Sequence, residues 1–503
     1  MIRNVLEYLE RSAERFPDKI ALRDENEQLT YSEYAAQAKS IATYLAGNEI
    51  QGQRNRPVAV IIDRNIRSIV AFMGIVYSGN FYVPIDNTMP AERIQLIYDT
   101  LEPVAVLDGR SDTGKPVEGA IVLDEIIDKG NVDEKLLAEI RTNALDTDPL
   151  YGIFTSGSTG IPKGVVICHR SVVDMVEAFT DTFGFDAEMI HGNQAPFDFD
   201  VSVKDIYNSM KNGATVVVVP KKLFMLPKLL LEFLCEYEIN TLIWAVSALR
   251  IVSDFKALDA IEQKPNIRYI MFSGEVMPVK ALNYWIDNIP EPMYVNLYGP
   301  TEITCNCTYF VVSGKQDEWK ALPIGKAFPN TRILLMDEER KHILTKQDEV
   351  GELCVAGTGL ALGYWNNREK TEDAFIQNPD ITQYESRIYA TGDMAYYNGN
   401  GDLVFASRRD FQIKHMGHRI ELGEIEVALN AIPFIETSCC LYDEKRGKIV
   451  CFYQSASEDT RAIVKLLGEK LPKYMWPNIF KRYDKLPMNK NSKIDRVKLR
   501  EEI

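Results

Sequence analysis

The feature that most constrains this chain is a repeated alternation of short β-branched apolar runs with helical stretches. VAVII (Val58 to Ile62) and YVPI (Tyr82 to Ile85) read as strands, and Ile66 to Ser78 between them reads as a helix. The rhythm returns at ATVVVVP, Lys228 to Tyr237 and INTLIWAV, and again at IRYIMFSG, Lys280 to Ile286 and MYVNLYG. Strands that alternate with helices pair in parallel, because each crossover helix returns the chain to its starting edge. Runs this short and apolar read as strands buried on both faces. The fold class is therefore α/β.

The texture then changes twice. After about Ala327, RILLMD, GELCVAG and DLVFAS are short strands between turn residues, which predicts a β-rich subdomain. From near Asp410 the order becomes strand, helix (Leu422 to Asn430), strands around Cys439 and Val450, helix (Thr460 to Leu471) and a Lys-rich tail. The polar Ser407 to Asp410 segment marks the boundary. The expected architecture is a large N-terminal domain, residues 1–409, with two α/β subdomains and a β-rich one. A small α+β domain, residues 410–503, follows it. At the start, Val5, Leu6, Leu9, Ala13 and Phe16 share one helical face.

Composition excludes several classes. The 503 residues carry 57 Lys plus Arg against 72 Asp plus Glu, a formal charge of −15, which argues against a general nucleic-acid or anionic-membrane binder. Eight cysteines without a CxxC pair, and five histidines, do not make a disulfide scaffold or a zinc site. The thiols read mostly as buried small hydrophobes. No apolar run reaches the ~18 residues of a membrane span. The N-terminus carries charges throughout, unlike a signal peptide, so the expected location is cytoplasmic.

Five segments carry candidate chemistry. In YGIFTSGSTGIPKG (Tyr151 to Gly164) a strand runs into a loop of hydroxyls and glycines closed by Lys163. Glycines admit backbone amides to an anion, hydroxyls add donors, and the lysine adds charge. The loop does not satisfy the Walker A pattern. NLYGPTE (Asn296 to Glu302) sets an aromatic, a turn and a carboxylate at a strand end, where ligands bind in open α/β sheets. Tyr298 suits a base face, and Glu302 suits magnesium, which takes oxygen ligands. YATGD (Tyr389 to Asp393) offers a carboxylate after a Thr-Gly turn, suited to ribose hydroxyls. SRRDFQIKHMGHRIE (Ser407 to Glu421) is basic within an acidic chain. NSKIDR (Asn491 to Arg496) places a lysine near the C-terminus. Taken singly, the last three read as a loop aspartate, a solvated face and a solvated tail.

In this order the five segments resemble the signature motifs of the adenylate-forming superfamily, over nearly the whole chain. YVPID with PAERI adds a further match. NQAPFDFDVSVKDIY, MFSGEVMPV and GHRIELGEIE most resemble the D-alanine–carrier protein ligases and, more broadly, nonribosomal peptide adenylation domains. The resemblance implies an enzyme using ATP and Mg2+. A carboxylate would attack the α-phosphate, and a carrier-protein phosphopantetheine thiol would then take the acyl group. By motif match, Thr155, Ser156, Ser158, Thr159 and Lys163 would hold the β- and γ-phosphates. Gly274, Glu275 and Val276 would pass along the adenine, with Asn296 at its amino group and Tyr298 against its face. Thr301 would contact the α-phosphate, Glu302 the magnesium, and Asp393 the ribose, with Arg408 nearby. Lys493 would bridge the substrate carboxylate and the α-phosphate, and Asp410 would be the hinge of a mobile C-terminal lid.

Asp200 matches the aspartate that pairs with an α-amino group. The matched pocket continues through Val201, Lys204, Trp244, Met271, Ser273, Leu297, Cys305 and Asn306. A bulky Trp244 implies a shallow pocket. Lys204 would either pair with an acidic side chain or point to solvent. Three substrates stay open: D-alanine or another small amino acid, an acidic one read by Lys204, or a noncanonical one. An acyl-CoA ligase is the rival activity. Ser407 and Ser492 stand where the family has glycine, and Ser273 where D-alanine ligases have cysteine. No carrier or condensation motif follows NSKIDR, so the expectation is a standalone enzyme serving a separate carrier protein, with Arg408 to Arg419 available for docking.

Overall fold

The computed structural model describes residues 2–110, 117–157, 160–318, 320–409, 412–488 and 494–503. Ser158, Thr159, Asp410 and Lys493 lie outside the described residues. The chain forms two compact units. One comprises Met1–Asp86, Glu102–Ile153 and Val165–Ser407; the other comprises Asn87–Leu101, Phe154–Gly164 and Arg408–Ile503.

The first unit carries the α/β architecture read from the strand–helix rhythm. Six strands of a nine-stranded sheet run parallel in the order Met293–Tyr298, Tyr269–Ser273, Thr241–Ala245, Ile190–Asn193, Thr215–Val218 and Ile20–Arg23. A seven-stranded sheet is built around the parallel strands Phe81–Asp86, Pro57–Ile62 and Ala105–Asp108. Every residue of Pro57–Ile62 is buried, as its unbroken apolar run requires. Helix Ile66–Tyr77 follows it, opened by the Asn65 side chain, which accepts from the Ser68 N–H at 2.9 Å. The β-rich part is a five-stranded sheet in which Thr331–Met336, Gly351–Gly357, Arg387–Tyr397 and Phe375–Gln377 pair antiparallel.

Period-two alternation divides the nine-stranded sheet between two cores. Ile243 pairs with Met271, and Met271 with Val295; all three face the larger core. Trp244 pairs with Phe272, and both face the smaller one.

The second unit contains the hairpin Gln412–His415 and His418–Glu421, helices Leu422–Asn430 and Thr460–Gly468, and the sheet Thr437–Asp443, Lys448–Gln454, Ile479–Tyr483. The hairpin turns through Met416 and Gly417, both left-handed (φ 52° and 82°), as a tight turn between twisted strands demands. Its core gathers Ile413, Ile420, Ile425, Leu429, Tyr453 and Ile463. Helix Ala91–Leu101 contributes Arg93, which donates to the Glu424 carboxylate; both side chains are buried. Burial raises the Glu424 pKa, and the Arg93 charge opposes that rise.

None of the eight cysteines is in a disulfide, and all but Cys235 are buried. Among the described residues, no helix is long and apolar enough to cross a membrane.

His169 opens helix His169–Phe183 and is buried, its Nδ1 accepting from the Val5 N–H at 3.3 Å. Burial first, and the Arg141 charge second, push its pKa down from 6.5 to about 3. The native state therefore stays neutral here while the unfolded state takes up a proton below pH 6.5. Stability from this group is complete above that pH and falls by about 1.4 kcal/mol per pH unit as the pH drops toward the folded pKa. His169→Asn, which keeps an acceptor, is expected to remove this slope. Urea unfolding of both proteins between pH 7 and pH 5 measures the difference; parallel curves would refute the assignment.

Candidate active site

In the first unit the matched residues converge on the turn that follows strand Met293–Tyr298. Gly299 passes so close to the returning chain that a Cβ there would lie 2.6 Å from both Cys305 O and Asn306 Cα. Thr301–Ile303 makes one 3-10 turn, and Thr304 and Cys305 are then both left-handed (φ 60° and 71°). Such residues cost on the order of 1–3 kcal/mol each and need outside support. The support is present. The Thr304 hydroxyl donates to Gly359 O at 2.8 Å, the Cys305 thiol donates to Asp200 O at 3.0 Å, and Cys307 N donates to Tyr298 O at 2.8 Å.

Two carboxylates are set around this turn. Glu302 is fully buried and accepts from the Tyr364 hydroxyl at 2.7 Å. Asp393 lies inside strand Arg387–Tyr397, not in a loop: a register shift and the left-handed Gly392 (φ 74°) make a bulge there that aims the carboxylate inward. It accepts from the Tyr298 hydroxyl. Burial and the Asp393 charge hold that phenol well above its ordinary pKa. The bulge is itself braced, since Gly392 N donates to Glu352 at 3.1 Å and Arg340 grips Glu352 through two bonds of 2.6 and 2.7 Å.

Asp200 is buried at the N-terminus of helix Val201–Asn212, and its side chain makes no capping bond to that helix. One turn on, Lys204 is wholly buried. Its ammonium donates to Asn306 Oδ1 at 2.9 Å and to Ser273 Oγ at 3.3 Å. Burial lowers the Lys204 pKa, while Cys305, Asp200 and Asp205 act to raise it. Burial also drives the Cys305 thiol well above its ordinary value; Asp200 raises it further and Lys204 lowers it. Asp200, Lys204, Ser273, Cys305 and Asn306 are thus brought together, with Met271 and Leu297 in the adjoining core.

Trp244 does not join them. Its indole N–H donates to Gly192 O at 2.6 Å, and its ring packs edge-on to Phe224 in the smaller core. Its bulk therefore fills the smaller core and does not make the pocket shallow. The preceding residue, Ile243, faces the Met271 side, and a one-residue step along a strand reverses the face. Asn296 also sits one step from Leu297, and its amide donates to Pro323 O at 2.8 Å. Val276 is exposed, and Gly274 (φ 95°) has open space where a Cβ would stand.

In the second unit, Ser156 is buried and its hydroxyl is engaged by backbone: it donates to Arg419 O at 2.8 Å and accepts from Glu421 N at 3.1 Å. The neighbouring Thr155 hydroxyl is buried without a hydrogen-bond partner among the described residues. Lys163 begins strand Lys163–Cys168, and Arg408 ends strand Leu403–Arg408. Tyr364 and Ile243 escaped the motif reading. GYW around Tyr364 and the period of two through LIWAV were the available signals.

A family model for AMP-binding enzymes matches residues 9–365. The chain belongs to the AMP-binding enzyme family. D-alanine–D-alanyl carrier protein ligase of Bacillus licheniformis is 32% identical over 99% of both chains. Tyrocidine synthase 1 of Brevibacillus parabrevis is 31% identical over 99% of this chain, which spans 45% of that protein. The chain spans 9% of bacitracin synthase 1, at 34% identity. Among solved structures, IdnL1 superimposes with a TM-score of 0.84 at 26% identity, covering 97% of this chain and 99% of that one. PA1221, a protein containing adenylation and PCP domains, has the same fold, with a TM-score of 0.82 at 24% identity over 99% of this chain and 84% of that one.

For this AMP-binding enzyme, Gly299→Ala is expected to force the turn open and weaken AMP binding at least tenfold. Trp244→Phe strands the Gly192 carbonyl and is expected to cost about 1–3 kcal/mol of stability while leaving AMP affinity unchanged. Calorimetric AMP titration with denaturant unfolding checks both; equal AMP affinity in all three proteins would refute the first.

Proposed function

We propose that this enzyme activates an amino acid with ATP, in the cytoplasm, and transfers it to the phosphopantetheine thiol of a separate carrier protein. In the first step a carboxylate oxygen of the amino acid attacks the α-phosphorus, pyrophosphate leaves, and an aminoacyl-adenylate forms. In the second the thiol attacks the acyl carbon, releasing AMP and a thioester. The observation that carries the reading is the place of the Asp200 carboxylate, buried at the N-terminus of helix Val201–Asn212 beside the polar cluster of Lys204, Ser273 and Asn306. A carboxylate at this place suits a cationic group on the substrate. An α-ammonium supplies one; a fatty or aryl acid does not, which favours this reading over an acyl-CoA ligase. Two relatives named as D-alanine–D-alanyl carrier protein ligase, at 31–32% identity over 99% of both chains, support it.

The residues suit a nucleotide. The Thr155 hydroxyl, buried with no hydrogen-bond partner among the described residues, suits a phosphate oxygen, and Gly274 separately has open space that suits a base edge. The proposed roles follow the motif match. Thr155, Ser158, Thr159 and Lys163 hold phosphate, Ser156 positions that loop through its backbone bonds, and Asp393 takes the ribose hydroxyls with Tyr298 held beside it. Glu302 would provide a hard oxygen for Mg2+, and the ion would supply charge neutralisation at the phosphates. Tyr364 orients that carboxylate. Lys493 offsets the repulsion between the two reacting anions, the main electrostatic obstacle to the first step. The boundary near Arg409, the hinge at Asp410 and a mobile C-terminal lid belong to the same proposal.

Amino-acid-dependent exchange of pyrophosphate into ATP tests the first step, and thioester formation on a holo carrier protein against free CoA tests the second. Lys493→Ala is expected to abolish exchange, by at least 100-fold, with ATP binding retained. Asp200→Asn is expected to lower kcat/KM for the amino acid by a similar factor. Wild-type exchange in either variant would remove the role assigned to that residue, and transfer to CoA alone would favour the rival.

A further inference from the structure

The Lys204 ammonium is out of balance with its surroundings. Its side chain has no exposure, yet among the described residues no carboxylate lies within ion-pair distance of it. Its two bonded partners, Asn306 Oδ1 and Ser273 Oγ, are neutral. An ammonium has three donors, so one remains without an acceptor among the described residues. The carboxylates that act on it from further away are Asp200 and Asp205. Asp205 turns toward Asn193, whose Nδ2 donates to one of its oxygens at 3.0 Å; the other oxygen faces His191 Nδ1 at 3.5 Å with no hydrogen-bond partner among the described residues, and neither lies within ion-pair distance of Lys204. Asp200 is the residue assigned to the α-ammonium.

Charge accounting then defines the substrate. A neutral amino acid would satisfy Asp200 and leave the buried ammonium without an ion-pair partner, which is costly. An amino acid with a second carboxylate satisfies both groups at once. We propose that Lys204 reads the side-chain carboxylate of the substrate, so that the enzyme activates an amino dicarboxylic acid. Ser273 and Asn306 hold the ammonium in place without neutralising it, which leaves its charge for the ligand. The hydroxyl at Ser273 matters here, because a cysteine would be a much weaker acceptor for that N–H. The left-handed turn at Thr304 and Cys305 presents Asn306 to the lysine, so backbone strain at this point has a use. This inference rests on the amino-acid activation reading and narrows it.

The test is ATP–pyrophosphate exchange by the full chain with L- and D-aspartate, L- and D-glutamate, the corresponding amides, alanine and D-alanine. One acid is expected to exceed its own amide by about 100-fold in kcat/KM, in line with the cost of unpairing a buried charge pair. In Lys204→Gln that ratio is expected to collapse to within a few-fold, with the loss confined to the acid and ATP-induced thermal stabilisation retained. Should Lys204→Gln fail to fold, the acid-to-amide ratio of the wild type decides alone. A neutral amino acid as the preferred substrate, or a ratio unchanged in Lys204→Gln, overturns the role of Lys204 and leaves amino-acid activation standing. Silence with every amino acid overturns the activation reading and this inference with it.

Discussion

The close pass of Gly299 against Cys305 and Asn306 is the constraint on which the site depends. It folds nine residues, Tyr298 to Asn306, back on themselves at the end of a buried parallel strand. A tyrosine, a glutamate, a thiol and an amide therefore leave one short turn in four directions. The strain this stores at Thr304 and Cys305 is met by bonds to Gly359 and Asp200, which come from other parts of the first unit. The turn is consequently a junction. It ties the β-rich sheet, through Tyr298 with Asp393, and the seven-stranded sheet, through Glu302 with Tyr364, to the strand end that carries it. It also ties helix Val201–Asn212 to the same point through Asp200 and Lys204.

Periodicity made the scaffold readable. The strand–helix–strand units appear within a residue or two of where the apolar runs place them, because burial on both faces admits few alternatives to a β-branched run. Helix Leu422–Asn430 matches its expected span, while Thr460–Gly468 stops three residues short of Leu471. Ends are set by local bonds and the final turn, which the apolar pattern does not encode. The bulge at Gly392 was also hidden. YATGD reads as a turn in isolation, and only pairing with Gly351–Gly357 keeps it inside a strand.

The site was legible as types of residue and much less as partners. Tyr298 with Asp393 and Glu302 with Tyr364 are separated by 95 and 62 positions, and nothing local to either motif announces the bond. Trp244 shows the opposite failure. Motif matching carries an uncertainty of one position, and in a strand one position is a change of face. The neighbouring residues LIWAV alternate between two apolar cores, so hydrophobicity could not choose between Ile243 and Trp244.

Buried charge separates structural groups from groups kept for a ligand. Arg93 and Glu424 are buried and matched to each other, so their charges are spent within the second unit. Arg340 and Glu352 are matched likewise, and their role is to brace the bulge behind Asp393. Lys204 is as buried as any of these, but its bonded partners are neutral. Folding tolerates that arrangement only when its cost is offset, either by loss of the proton or by a counter-charge that arrives with the substrate. The lowered Lys204 pKa makes loss of the proton easier in the empty site. A carboxylate entering the pocket reverses the balance, so the same burial that weakens the resting charge strengthens the pair once formed. Desolvation at this lysine thus works toward discrimination: a neutral side chain gains nothing from it, and an anionic one gains a partner already stripped of water.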